Sequence, residues 1–142
     1  MPVRKASAVW KGTIGNGEGS MSLGSGAFEG KYSVPSRFED GEGTNPEELI
    51  AAAHAGCFSM SLAAGLTRAG FKPDNINTTA QVHIEKLEEG WRITLIELQT
   101  EAKVPGVEEA QFAELATSAK ENCPVSQALS SPKITLEAKL LS

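Results

Sequence analysis

The chain carries two cysteines, Cys57 and Cys123, in different surroundings. Cys57 lies inside an alanine-rich apolar run that follows Thr44-Asn45-Pro46-Glu47-Glu48, whereas Cys123 directly precedes Pro124. Proline suits the first position of a helix, so the Cys123 sulfur falls at a helix start, where a thiolate is favoured. Two thiols that can meet only through folding point to redox chemistry. Without a third cysteine, zinc sites of four thiolates, or of three and an imidazole, are ruled out, and no C-x-x-C motif is present. The set Cys57, His54, Cys123 and His83 has no metal-ligand spacing. Gly15, Gly17 and Gly19 lack the lysine and the βα unit of a phosphate loop.

A thiol attacks as its thiolate, and burial in an apolar helix makes a cysteine inert by disfavouring that charge. A reactive Cys57 therefore needs a cation. Arg37, on the loop Ser36-Arg37-Phe38-Glu39 just before the capping motif, is the candidate, because a guanidinium stays charged when desolvated and has donors for a thiolate and a carboxylate together. Glu48 is the expected carboxylate. On a straight helix, however, the step from Glu48 to Cys57 is roughly 2.5 turns, which puts the two on opposite sides and about 13.5 Å apart along the axis. Either the helix breaks near Ala51–Ala55, as expected here, or a second subunit completes the site. Each residue also has a plainer role. Cys57 can be core filling, Cys123 a small residue at a helix start, Arg37 and Glu48 a surface ion pair, and His54 a hydrogen-bonded core histidine.

The elements that must position these groups are legible in outline. Short β-favouring pieces at Ser7–Lys11, Ser20–Leu23 and Phe28–Val34, separated by glycines, read as three antiparallel strands. This sheet of about residues 1–36 buries too little to stand alone and needs the rest of the chain, or a partner chain, to cover it. Asn45 as cap, Pro46 at the first position and Glu48 at the third start a helix that runs to Gly70. Being apolar nearly all round, it belongs inside the protein or in a subunit interface. Thr78–Leu87 and Trp91–Thr100 read as a hairpin, Glu108–Glu121 as an amphipathic helix, Cys123–Leu129 as a short helix, and Ile134–Leu141 as a last strand. The order βββ-α-ββ-αα-β indicates a single α+β domain over residues 1–142 with antiparallel pairing around a buried central helix.

With 142 residues, 40% apolar, the chain can bury a core without staples. Its net charge of −5 and scattered lysines and arginines give no electrostatic footprint for nucleic acid. No window is expected to reach the ~20 apolar residues of a membrane span, and no apolar run follows Arg4 and Lys5, so a cytoplasmic location is expected. In a reducing cytosol the cysteines are free thiols or a cycling pair.

The run Arg37-Phe38-Glu39, the stretch Gly43 to Met60, Val104-Pro105-Gly106-Val107 and Cys123-Pro124-Val125-Ser126 together resemble the OsmC/Ohr family of osmotically inducible and organic hydroperoxide resistance proteins. The likeness spans almost the whole chain and is to the OsmC branch, given the arginine ahead of Asn-Pro-Glu-Glu and a histidine at position 54. It implies an intertwined homodimer whose N-terminal sheet packs on the partner, and a thiol-dependent peroxidase acting on organic hydroperoxides. By matching position, Cys57 is the peroxidatic thiol, Cys123 the resolving thiol, and Arg37 with Glu48 the activating pair. The resemblance further implies a Cys57 sulfenic acid, a Cys57–Cys123 disulfide, an external dithiol reductant of lipoyl type, and no cofactor. A peroxide-responsive redox sensor and a non-catalytic stress protein are the competing readings.

Overall fold

The structure, a computed structural model, describes residues 1–142 in two compact units, Met1–Leu49 and Ile50–Ser142. In the first, β1 (Ala6–Lys11), β2 (Glu18–Leu23) and β3 (Glu29–Tyr32) form an antiparallel sheet in the order β1-β2-β3. Gly19 pairs with Trp10 on one side and Tyr32 on the other. A Cβ there would stand 2.5 Å from the Tyr32 ring, so only glycine lets the two aromatic rings meet edge to face at 5.5 Å over the middle strand.

The third strand stops at Tyr32 because Ser33 caps a short helix, α1 (Val34–Phe38). Ser33 and Ser36 cap reciprocally, and Pro35 fits the first turn. Arg37 therefore sits in the last turn of a helix, where a loop was expected. The chain then returns through Gly43, whose φ of 114° and close approach to the Lys31 carbonyl no larger residue could match.

Helix α2 (Pro46–Arg68) starts as expected, with the Asn45 side chain accepting from the Glu48 N–H at 2.7 Å. The expected break near Ala51–Ala55 is absent: α2 is continuous over 23 residues. An alanine-rich run has the strongest helix propensity, and nothing between Pro46 and Arg68 removes a backbone donor.

In the second unit, β4 (Asn75–Leu87) and β5 (Gly90–Lys103) pair as an antiparallel hairpin. Helices α3 (Glu109–Asn122) and α4 (Pro124–Ala128) lead to β6 (Lys133–Leu141). Antiparallel pairing was expected throughout, but β6 lies parallel to β5, a geometry allowed by the long helical crossover between them. The rest of the α+β order stands, with α1 added.

Along α2 every fourth residue from His54 is fully buried: His54, Phe58, Leu62 and Leu66. The last three pack with Leu98, Ala102, Phe112 and Ala116 into one core, each contributing about 1.5–3 kcal/mol by burial. Beside them a hydroxyl chain, Ser59 to Thr78 at 2.7 Å and Thr78 to Thr100 at 3.0 Å, ties the helix to the hairpin. This stripe is the fully buried part of α2. Ala52, Ala53, Gly56, Met60 and Ala64 are exposed, Met60 by 77%. The helix is also long and apolar enough to cross a membrane, contrary to expectation, although its core stripe is that of a helix packed on a sheet.

Candidate active site

Cys57 and Cys123 meet. They lie far apart in the chain, but α2 carries the first and the α3–α4 junction the second, and their side chains lie close enough as free thiols to shift each other's ionisation. Cys123 is fully buried and caps α4, its sulfur accepting the Ser126 N–H at 3.3 Å and its S–H donating to Ser126 Oγ at 3.3 Å. Ser126 Oγ is in turn 2.7 Å from His54 Nε2. Four groups thus run in series: Cys57, Cys123, Ser126, His54.

The two thiols differ electrostatically. Burial pushes the Cys123 thiol up, but the Ser126 hydroxyl and N–H, the Cys57 thiol and the Val125 N–H outweigh it and leave Cys123 below the ordinary thiol value. Burial also pushes Cys57 up; the Val125 N–H and Ser61 oppose this, while the neighbouring Cys123 adds to it, and Cys57 stays above the ordinary value. No cation figures among these influences. Cys57 in this unit is therefore an un-activated thiol, which is why a positive partner was required of the sequence.

The candidate cation belongs to the N-terminal unit. The Arg37 guanidinium makes a two-pronged pair with a carboxylate, Nε and Nη2 each 2.9 Å from an oxygen, and lies 5.2 Å over the Phe38 ring. That carboxylate is Glu47, not the expected Glu48. The hydrogen bond to Glu47 outweighs desolvation and holds the guanidinium above its ordinary value. Glu48 turns the other way, taking the Thr44 hydroxyl at 2.7 Å instead of bonding back to the Asn45 N–H. Adjacent helical residues differ by about 100° in direction, so only one of the pair can face α1. Ser36 accepts from Asn45 Nδ2 at 3.0 Å and donates to the Thr44 carbonyl at 2.7 Å, which fixes α1 against the start of α2.

The structure thus brings the two expected cysteines together, pairs Arg37 with Glu47 where sequence reasoning expected Glu48, and adds Ser126, to which sequence reasoning gave no role. The Ser-x-x-Ser spacing around Pro35 was the signal for α1. A serine three residues after a helix-capping cysteine was the signal for Ser126. His83 does not join this series but pairs with Glu97 at 2.5 Å, and no group of three or more His, Cys, Asp or Glu is placed to hold a metal ion.

Two reduced sulfurs brought near each other, one stabilised by surrounding donors, on an α+β scaffold define a cysteine-based redox protein. The sequence model of the OsmC-like protein family matches residues 39–138, and the chain belongs to that family. It is 46% identical to the peroxiredoxin OsmC of Escherichia coli K12 over 98% of this chain and 97% of that one. It is 32% identical to an organic hydroperoxide resistance protein of Xanthomonas axonopodis pv. citri over 80% of each. Among solved structures, an organic hydroperoxide resistance protein of Elizabethkingia anophelis superposes with a TM-score of 0.74 at 25% identity, covering 99% of both chains. An OsmC-like protein of Mycoplasma pneumoniae gives 0.79 at 14% identity over 99% of both, a likeness of fold.

Proposed function

We propose that this chain is a thiol-dependent peroxidase that reduces organic hydroperoxides to alcohols, with Cys57 as the attacking sulfur and Cys123 as the resolving one. The nearness of the two free thiols, each shifting the other's ionisation, carries this reading. The Cys57 thiolate attacks the outer oxygen of ROOH, the O–O bond breaks, and the alkoxide leaves as alcohol on taking a proton. Cys57 is left as a sulfenic acid. Cys123 then attacks that sulfur, the S–O bond breaks, water leaves, and a disulfide forms. An external dithiol, of lipoyl type in this proposal, returns both sulfurs to thiols, and no resident cofactor takes part.

Activation of Cys57 falls to Arg37, held by Glu47, and Glu48 is part of the helix start that positions that pair. Because α2 is unbroken, the guanidinium is assigned to a second copy of the chain. Two observations support a homodimer: an N-terminal sheet with few buried residues, and the exposed apolar stripe from Ala52 to Ala64 on a core helix. A second copy would also cover the membrane-length helix, consistent with a cytoplasmic protein. The apolar side chains Phe38 and Met60, with the alanines of α2, favour alkyl over hydrogen peroxide.

Steady-state consumption of an alkyl hydroperoxide and of hydrogen peroxide, each with excess dithiol, tests the reading. Turnover is expected to favour the alkyl substrate and to vanish in Cys57→Ser. Stoichiometric oxidation without turnover would indicate a sensor, and oxidation no faster than a free thiol a non-catalytic protein.

A further inference from the structure

His54 is a buried titratable group that the peroxide chemistry leaves unused. It is fully enclosed, its Nε2 lies 2.7 Å from Ser126 Oγ, and its Nδ1 is buried with no hydrogen-bond partner. A histidine kept only for packing satisfies both ring nitrogens or is replaced by an apolar residue, because an orphaned buried polar atom costs about 1–3 kcal/mol. The exception here stands at the end of a chain of hydrogen bonds that starts at a reacting sulfur.

We propose that Ser126 and His54 form a proton relay for the resolving thiol, the Ser126 hydroxyl carrying the Cys123 proton to His54 Nε2 as the disulfide closes. This deepens the peroxidase reading and rests on it. The donor order fits. The Cys123 S–H donates to Ser126 Oγ, so the Ser126 hydroxyl is left to donate to Nε2, and the neutral ring carries its own proton on Nδ1. As Cys123 attacks the Cys57 sulfenic acid, its proton passes to Ser126 Oγ while the serine proton passes to Nε2. The S–S bond forms and the S–O bond breaks; the Cys123 sulfur is oxidised and the sulfenic sulfur reduced. Hydroxide leaves and takes the proton back from the imidazolium along the same hydroxyl, giving water. Burial pushes the imidazole below its ordinary value, which keeps it neutral and able to accept at rest and makes it release the proton promptly. Ser126 touches the reacting sulfur; His54 acts through Ser126 and is a positioning residue.

The relay predicts a split between the two halves of the reaction. In rapid-mixing experiments on the full chain with one equivalent of alkyl hydroperoxide, sulfenic acid formation is followed by trapping and disulfide closure by quenched mass analysis. Ser126→Ala removes the hydroxyl while keeping the backbone N–H donor to Cys123, and His54→Gln removes the base. Each is expected to slow closure by about tenfold or more, in line with proton-transfer catalysis, while changing sulfenic acid formation by less than about twofold. The double variant is expected to close no more slowly than the slower single variant, as for two members of one relay. Closure at the wild-type rate in both single variants, equal slowing of both steps, or multiplicative losses in the double variant would each overturn the relay. Melting of each variant separates a folding defect, which moves both steps, from the split. Failure of the peroxidase reading itself shows in the wild type, as absence of fast sulfenic acid formation.

Discussion

At the scale of single residues, one sulfur is stabilised and the other waits for a charge. Cys123 lies below the ordinary thiol value within its own unit, Cys57 above it. Since only the thiolate attacks, the rate of Cys57 oxidation rises with pH until the thiol is ionised, and a guanidinium lowers the pH of that rise. Removing or loosening the cation therefore moves the rise to higher pH. Arg37→Ala is expected to do so most, Glu47→Gln less, and Glu48→Gln least, as read from pH profiles of single-turnover oxidation by an alkyl hydroperoxide. A larger displacement in Glu48→Gln than in Glu47→Gln would restore the carboxylate first inferred from the sequence. The choice between them was not legible there, because both glutamates fit the capping motif and only the direction of the first helical turn tells them apart. Nor was Ser126, whose role depends on a histidine brought to it by folding.

At the scale of elements, α2 organises the second unit through the stripe His54, Phe58, Leu62 and Leu66. Its start was legible because Asn45 and Pro46 act locally. Its continuity was misjudged because a chemical requirement, one arginine serving Glu48 and Cys57 in a single chain, was set against the helix propensity of the alanine run, and propensity won. The parallel pairing of β6 was likewise beyond local patterning, since alternation marks a strand without marking its neighbour's direction. Leu62→Ala removes a fully buried side chain from the core and is expected to cost about 2–5 kcal/mol, whereas Ala64→Ser, on the exposed face, is expected to cost under about 0.5 kcal/mol. Denaturant unfolding measures both. Comparable losses would mean that the exposed face is as tightly packed as the buried one.

At the scale of the whole molecule, an apolar stripe of Ala52, Ala53, Gly56, Met60 and Ala64 left uncovered on a core helix is the feature that asks for a second copy. Gly56 has nothing within 4 Å of a Cβ position, so that side of α2 has room for a close neighbour. In a two-fold interface, a charge placed at Met60 is introduced once per copy, so its effect is doubled. Met60→Lys is expected to shift sedimentation from dimer toward monomer and to slow Cys57 oxidation in parallel if the partner supplies Arg37. Wild-type protein that sediments as a monomer while turning over peroxide would remove the second subunit from the site.

The central claim is that Cys57 is oxidised first and Cys123 closes onto it. Mass mapping of the protein after one equivalent of alkyl hydroperoxide, with a sulfenic acid trap present, tests it most directly. Wild type should yield an intrachain Cys57–Cys123 disulfide with little trapped adduct, and Cys123→Ser should yield the adduct on Cys57. An adduct on Cys123 in the Cys57→Ser variant formed as fast as wild-type oxidation, or a wild type left without that disulfide, would contradict it.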